Sequence, residues 1–567
     1  MKRREKSDDS IVLQGRRNTV VTVAKRGGKG VTARERWTQL ELFTELADSP
    51  KGDAAGAEGN DSLSATSAAL TSGNKSRQES TRPNEVQVQL ELFPEFAESP
   101  KRRATRPGGA LSSPVKETGP ISGDRWRLVS EVLLSRPMTM EEIASKENLL
   151  EAFSRVEANK GAPGPDRQSI RDVKEHLIEL LPVLQMELIS GVFQPGMIRR
   201  VWIPKVGGKR GLGIPNVIDR WVQQAIYQVL SLHFEVTFHP SSHGFRPGRS
   251  CHSAIEEAKR HLSDGYEYVV DIDLEKFFDR VNHQRLIARL EQKVSDRRII
   301  VIIHRMLKSK IVMPDGVIVS NDEGTPQGGP LSPLLSNIVL DELDRELERR
   351  GHRFCRYADD CNIYVRSERS GKRVMASIQR FIEKRLRLRV NTEKSAVGRP
   401  EERHFVGFRL CSNLESGGVE VSLSQRSLDR INARIRELTP RNWGNSLRRC
   451  IGSINAYLTG WMGFFRICTE GELSTLTRLD AHIRRRLRAI VLKHWKRKRY
   501  IARRLISMGV SPKSVWGNLY KGRKSIWALS WCTPVHKGLK NVYFFDLGLQ
   551  TLEYLWKKHR LNESLAP

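Results

Sequence analysis

The chain lacks a membrane span. No apolar run approaches the ~18 residues that a transmembrane helix needs, and the opening MKRREKSDDS carries acids but no hydrophobic core of a signal peptide. The expectation is a soluble, intracellular protein, cytoplasmic and nucleoid-associated in a bacterium. Paired cysteines are lacking too. Seven are scattered at 251, 355, 361, 411, 450, 468 and 532, odd in number and never spaced C-x-x-C, which speaks against both a zinc site and a disulfide framework. Small buried thiols in a reducing compartment are expected instead. Acids are scarce beside bases: 65 Asp+Glu face 96 Lys+Arg, for a net charge of +31 and a pI near 10.1, a balance that favours a polyanionic partner. Core-forming residues are sparse from 1 to about 124, where KGDAAGAEGNDSLSATSAALTSGNKSRQESTRPN (51–84) reads as disordered linker. Apolar periodicity rises at Trp126 and stays high, and 567 residues predict several domains.

Where acids do occur, two short segments concentrate them. VVDIDLEKFFDRVNH (269–283) delivers Asp271 and Asp273 to the end of an apolar strand begun by Tyr268, Val269 and Val270. In FCRYADDCNIYV (354–365), FCRY and CNIYV flank Asp359 and Asp360 like the arms of a tight hairpin. Facing one another, such carboxylates raise each other's pKa unless a divalent cation neutralises them. Mg2+ accepts hard oxygen ligands from one or two carboxylates plus substrate phosphates, so the pattern fits two-metal phosphoryl transfer. For either segment alone, a solvated strand end is the bland alternative.

The surroundings add order. NKGAPGPD (159–166), VWIPKVGGKRGLGIPNVIDRWVQQAI (201–226) and SSHGFRPGRSCHSAI (241–255) precede the first acidic segment. NDEGTPQGGPLSPLLSNIVLDELDREL (321–347), a Gly/Pro-rich loop entering an amphipathic helix, stands between the two. LRVNTEKS (388–395) and HFVGF (404–408) follow. In this order the blocks resemble the reverse transcriptase/maturases encoded by group II introns, from roughly residue 125 to the C-terminus. The resemblance implies an α/β right-hand polymerase with fingers and palm over 125–412. A helical thumb/maturase domain over 421–505 and a DNA-binding region over 506–567 would follow, with 1–124 as a disordered extension. It implies an RNA-directed DNA polymerase using two Mg2+ ions, with dNTPs, a primer and target DNA, and its own intron RNA as partners in splicing and retrohoming. A binding-only maturase with a vestigial polymerase site and a domesticated reverse transcriptase in antiviral defence stay open as alternatives.

Residue by residue, the resemblance makes Asp273, Asp359 and Asp360 the metal-binding triad, with the Leu274 carbonyl as an extra ligand. Phe278 matches an aromatic gate against the ribose 2'-hydroxyl; otherwise Phe277 and Phe278 are core aromatics, of which one is expected inside because successive strand side chains face opposite ways. Gln327 in TPQGGP matches a contact to the incoming nucleotide, and Lys205 and Arg210 match finger residues that clamp the triphosphate. Lys394 matches a lysine that protonates the leaving pyrophosphate, against the reading of a solvated surface lysine. One departure stands out: where the family reads R-P-L-G-I-P, this chain has Arg210-Gly211-Leu212-Gly213-Ile214-Pro215, and the preceding turn is short by a residue. A more mobile fingertip is expected.

LSQRSLDRINARIRELTP, NSLRRCIGSINAYLTGWMGFF and LDAHIRRRLRAIVLKHWKRKR have helical period. Between Arg484 and Arg504 stand eleven Lys or Arg and no acid. Ile483, Leu487, Ile490, Val491 and Trp495 form an inner stripe, so the basic face is expected outward, and Arg484, Arg485, Arg488, Lys496, Arg497, Lys498 and Arg499 are RNA contacts. A merely solvated face is the alternative. In KSIWALSWCTPVHKGLKNVYF (524–544), Trp527, Trp531 and Tyr543 could stack on bases or pack in the core. No cysteine- and histidine-bearing nuclease domain of the kind some relatives append precedes Pro567.

One repeat lies outside this resemblance. TQLELFTELADSPKG (38–52) recurs as VQLELFPEFAESPKR (88–102), and the shared QLELF resembles the pentapeptide with which bacterial polymerases dock on the sliding clamp. Leu42 and Phe43, then Leu92 and Phe93, would fill an apolar pocket while Gln39 and Gln89 set register. A tether of ~46 residues spans roughly 35–40 Å, which suits neighbouring pockets of one ring. A duplicated amphipathic snippet folding back on the body is the alternative.

Overall fold

The computed structural model describes residues 138–564, apart from 206–207, 414–417, 442–443, 445 and 523. Both QLELF copies and the 51–84 segment lie outside the described residues.

After a single turn at Met140–Ile143 comes the helix Lys146–Ala158, capped by Ser145, whose hydroxyl accepts from the Asn148 N–H. Its buried Leu149, Ala152, Phe153 and Val156 recur at helical spacing and pack on the helix Val217–Glu235. There the Trp221 indole donates to the Leu149 carbonyl at 2.7 Å and meets the Phe153 ring edge-on at 5.1 Å. Strands β1 (Ile198–Lys205) and β2 (Gly208–Ile214) form the hairpin expected of a fingertip, with Lys205 paired to Gly208 and Ile203 to Arg210. In the place of the family's proline, Gly211 leaves room for Arg200, whose Nη1 would lie 2.6 Å from an added Cβ and instead donates to the Gly211 carbonyl.

The palm is built from β3 (Tyr268–Ile272), while the short β4 (Ile311–Val312) and β5 (Ile318–Val319) extend the finger sheet, ordered β2-β1-β4-β5. With β6 (Arg353–Tyr357), β7 (Asp360–Val365) and β8 (Ala396–Gly398), β3 makes an antiparallel sheet ordered β6-β7-β3-β8. Both faces of this sheet are covered. Val270, Ile272, Phe354, Cys361 and Ile363 point into the finger–palm core, while Val269, Cys355 and Tyr364 point into a second core built mostly from the C-terminal helices. The sheet is therefore a common wall between two cores. Beyond it, β9 (Phe408–Asn413) and β10 (Gly418–Leu423) pair as a hairpin. The helices Gln425–Leu438, Leu447–Phe465 and Leu473–Trp495 then form the expected helical thumb.

Two expectations need correction. The periodicity predicts one helix through Arg499, but the helix ends at Trp495. Lys496 takes a left-handed φ of 57, and a second helix runs Lys498–Ser507. Phe277 and Phe278 lie not on a strand but in the one-turn helix Phe277–Arg280, entered through Lys276 at φ 49. All seven cysteines are free; five are buried, whereas Cys411 and Cys532 are half-buried. Among the described residues no helix is long and apolar enough to cross a membrane.

Candidate active site and nucleic-acid surface

The register of β3 and β7 brings the acids together. Its last pair is Ile272 with Cys361, so one step further along the antiparallel ladder Asp273 stands opposite Asp360. Alternation puts Asp271, Asp273 and Asp360 on the face opposite Ile272 and Cys361, which are buried in the finger–palm core. Asp359 sits in the two-residue turn of the β6–β7 hairpin, whose arms pair from Arg353–Tyr364 to Tyr357–Asp360. Crowding shows in the electrostatics: the Asp360 carboxyl is pushed well above the usual carboxylate range, first by burial and then by the charges of Asp359, Asp271 and Asp273. Burial also raises Asp271 against the pull of Arg403 and Arg426.

Hydrogen bonds hold the cluster in shape. The Asp273 N–H donates to Ser395 Oγ at 2.9 Å, and its carbonyl accepts from the Asn391 N–H at 2.9 Å. The bridge between Leu274 and Val390 uses the flanking groups, Glu275 N–H to Arg389 O and Asn391 N–H to Asp273 O. The Leu274 carbonyl consequently faces away from that ladder. Lys394 is no remote surface lysine: its Nζ lies 3.9 Å from Asp273 Oδ2. Arg403 ties this loop to the sheet, donating to Asp271 Oδ2 at 2.7 and 3.1 Å and to the Lys394 carbonyl at 2.7 Å.

The hairpin turn has its own anchor. Arg356 is fully buried and grips both carboxylate oxygens of the equally buried Asp344 at 2.7 and 2.6 Å. Its remaining donors reach Asn337 Oδ1, Ser242 Oγ and the carbonyl of Ala358, the last at 2.8 Å. Ala358 precedes Asp359 and holds a left-handed φ of 55. Gly244 lies so close beneath it that an added Cβ would stand 2.2 Å from the Ala358 nitrogen. Arg356 and Arg403 escaped the sequence reading, although one sits two residues before Ala358 and the other immediately before HFVGF.

The residues that the resemblance assigns to the nucleotide are joined by fewer contacts. Gln327 is half-buried in its loop, and its carbonyl accepts from the Gly213 N–H of β2 at 2.7 Å, so the loop docks on the fingers. Arg210 follows on the same hairpin and Lys205 stands on β1, paired to Gly208. Phe277 is the core aromatic, 2% exposed, while Phe278 is only partly buried and meets the Phe277 ring edge at 5.2 Å.

The basic segment divides. Arg488 is a correction: it is buried, its Nε donating to the Leu539 carbonyl at 3.0 Å, because the segment around Leu539 and Phe544 covers that face of the helix. Arg485 is half-buried over Trp527, 4.0 Å from the ring centroid, and within 5.0 Å of that of Trp531. Arg484 is half-buried at the rim of a cleft of about 350 Å3 with Asp480 and Phe545. Lys496, Arg497 and Arg499 are exposed at the bend, and Lys498 lies half-buried 5.5 Å from the Tyr520 ring. Trp531 is 59% exposed, whereas Trp527 and Tyr543 are partly buried.

This palm, with its opposed carboxylates, defines a right-hand polymerase. Residues 203–410 match the family described as reverse transcriptase (RNA-dependent DNA polymerase), and 428–506 match the group II intron, maturase-specific domain. Protein YkfC of Escherichia coli (strain K12) is 33% identical over 310 residues, 47% of this chain and 81% of YkfC. Group II intron-encoded protein LtrA of Lactococcus lactis subsp. cremoris is 35% identical over 198 residues, 34% of this chain and 32% of LtrA. A solved partial Cas6-RT-Cas1–Cas2 complex aligns at a TM-score of 0.30 and 24% identity over 44% of this chain and 43% of that one. The chain belongs to the group II intron reverse transcriptase/maturase family.

Proposed function

We propose that the chain copies RNA into DNA and also binds its intron RNA, promoting splicing and retrohoming. The observation that carries the polymerase half is the opposition of Asp273 to Asp359 and Asp360 at the end of the palm sheet. The donor set fits Mg2+: the oxygens are hard, and Asp360 is crowded by three further carboxylates that a cation would relieve. Asp273, Asp359, Asp360 and the Leu274 carbonyl would hold two Mg2+ ions. When bound, these supply the positive charge that activates a primer 3'-hydroxyl and steadies the leaving pyrophosphate. Lys205, Arg210 and Gln327 position a dNTP, Phe278 excludes a ribonucleotide, and Lys394 hands a proton to pyrophosphate. Primer extension by purified protein on an RNA template should stop with EDTA and resume with excess Mg2+, while intron RNA retention on a filter persists in both. Extension that ignores the chelator would refute this reading.

RNA contact rests on the exposed bend. Changing Lys496, Arg497, Lys498 and Arg499 to Ala is expected to weaken intron RNA binding and flatten its dependence on salt. With three of the four side chains exposed, the loss in log–log slope should be roughly 2 to 3, at about 0.7 to 0.9 for each phosphate contact. Extension on a short generic template should suffer less. A slope equal to wild type would return these residues to plain solvation.

The QLELF pair supports a separate partner. Residues 1–124 are expected to bind a bacterial sliding clamp, more weakly after Leu42→Ala or Phe43→Ala and not at all once Leu92 and Phe93 are changed as well. Calorimetry with purified clamp reads this directly, and heat that does not depend on these side chains would remove the clamp from the list of partners.

A further inference from the structure

The short helix that carries Phe278 cannot hold itself. Phe277–Arg280 is a single turn entered through a left-handed lysine, and a helix this short leaves its carbonyls without internal partners. The loop ahead of Gln327 supplies them. The Thr325 N–H donates to the Phe278 carbonyl at 2.6 Å, and the Gly324 N–H donates to the Val281 carbonyl at 2.8 Å. Gly324 is fixed in turn by His283, whose Nε2 lies 2.7 Å from the Gly324 carbonyl. A carbonyl only accepts, so Nε2 carries the proton; burial keeps the ring neutral by lowering its pKa. Both His283 and Thr325 are 3% exposed.

The contact is also tight. Gly324 has a φ of +91, and a Cβ there would stand 2.8 Å from the Phe278 carbonyl oxygen and 2.9 Å from the backbone of Asp279. On the other side, Phe278 leans on the buried ring of Phe277. Its backbone is thus clamped between a core aromatic and a loop that has no spare space. Three residues further on, the same loop docks on the fingers through the Gln327 carbonyl and the Gly213 N–H.

We propose that His283 and Gly324 are specificity-determining positioning residues, which hold the Phe278 ring where a ribose 2'-hydroxyl would collide with it. The inference rests on the reading of Phe278 as the sugar gate. It assigns discrimination against ribonucleotides to a three-part lock of gate helix, glycine loop and histidine. A gate works by fractions of an ångström. Losing one buried hydrogen bond is enough to let it shift.

The test is the ratio of kcat/KM for a dNTP to that for the matching rNTP, measured in primer extension by the full chain. His283→Leu removes the donor and should lower this ratio by about tenfold; Gly324→Ala, which pushes on the Phe278 carbonyl, should do the same. His283→Gln keeps an N–H near the Nε2 position and should restore most of the ratio. Phe278→Ala should lower it at least as far, and adding His283→Leu to that variant should bring no further loss, since the two act through one ring. A loss of dNTP and rNTP use in equal proportion in both the His283→Leu and Gly324→Ala variants, or an unchanged ratio in both, would overturn the inference while leaving the gate intact. A Phe278→Ala enzyme that still refuses rNTPs would instead overturn the gate reading itself.

Discussion

Asp359→Ala should reduce cDNA synthesis to background while intron RNA binding and protein-assisted splicing continue. Loss of a group that merely supports a metal ligand already costs about 10- to 100-fold; removing a proposed ligand itself should cost more. Asp359 sits in the turn between β6 and β7 and contributes no strand pair of its own, so the sheet should survive its truncation. The exposed bend at Lys496–Arg499 lies on the thumb helices, not on the palm sheet, which is why RNA binding should be spared. Near-wild-type incorporation on an RNA template would sink the catalytic role of the triad.

The second large effect concerns stability. Arg356→Met leaves Asp344 as an uncompensated charge in a fully buried site, a change that typically costs about 3–5 kcal/mol. It also releases the Ala358 carbonyl, and with it the turn that presents Asp359. Denaturant unfolding should report the loss. Adding Asp344→Leu removes the stranded charge, so stability should largely return; polymerase activity should not, because the Ala358 carbonyl still lacks its Arg356 donor. If the double variant recovers both properties, Arg356 contributes to folding alone.

The elements of the site are legible in the sequence where pattern suffices. Val269 and Val270 before Asp271, and FCRY and CNIYV around Asp359 and Asp360, announce a strand and a hairpin because apolar residues there bound a polar end. Their pairing is not legible, since the register that sets Asp273 opposite Asp360 joins segments some ninety residues apart. Arg403 and Arg356 are missed for a related reason: a charge is read as solvent-facing until Asp271, 132 residues away, or Asp344, on the preceding helix, is known to meet it. The thumb helix shows the opposite failure. Its periodicity runs on through Arg499, and no Gly, Asn or Pro marks the break that Lys496 makes by turning left-handed. Arg488 belongs to the outward face by spacing, yet the Leu539 carbonyl, 51 residues later, draws it inside.

The second core, entered from the palm sheet by Val269, Cys355 and Tyr364, also limits how this protein could be trimmed. The helix Cys251–Ser263 would stay over those strands, since the Cys355 thiol donates to the Ala254 carbonyl and the Tyr364 ring meets that of His261. A fragment ending near Leu410 would nevertheless strip Phe464 and Phe465 from the buried Phe408 ring, and Phe464 from His252, uncovering an apolar patch of the kind that drives self-association. A laboratory attempt at a minimal polymerase should therefore begin by making the surroundings of Phe408 polar.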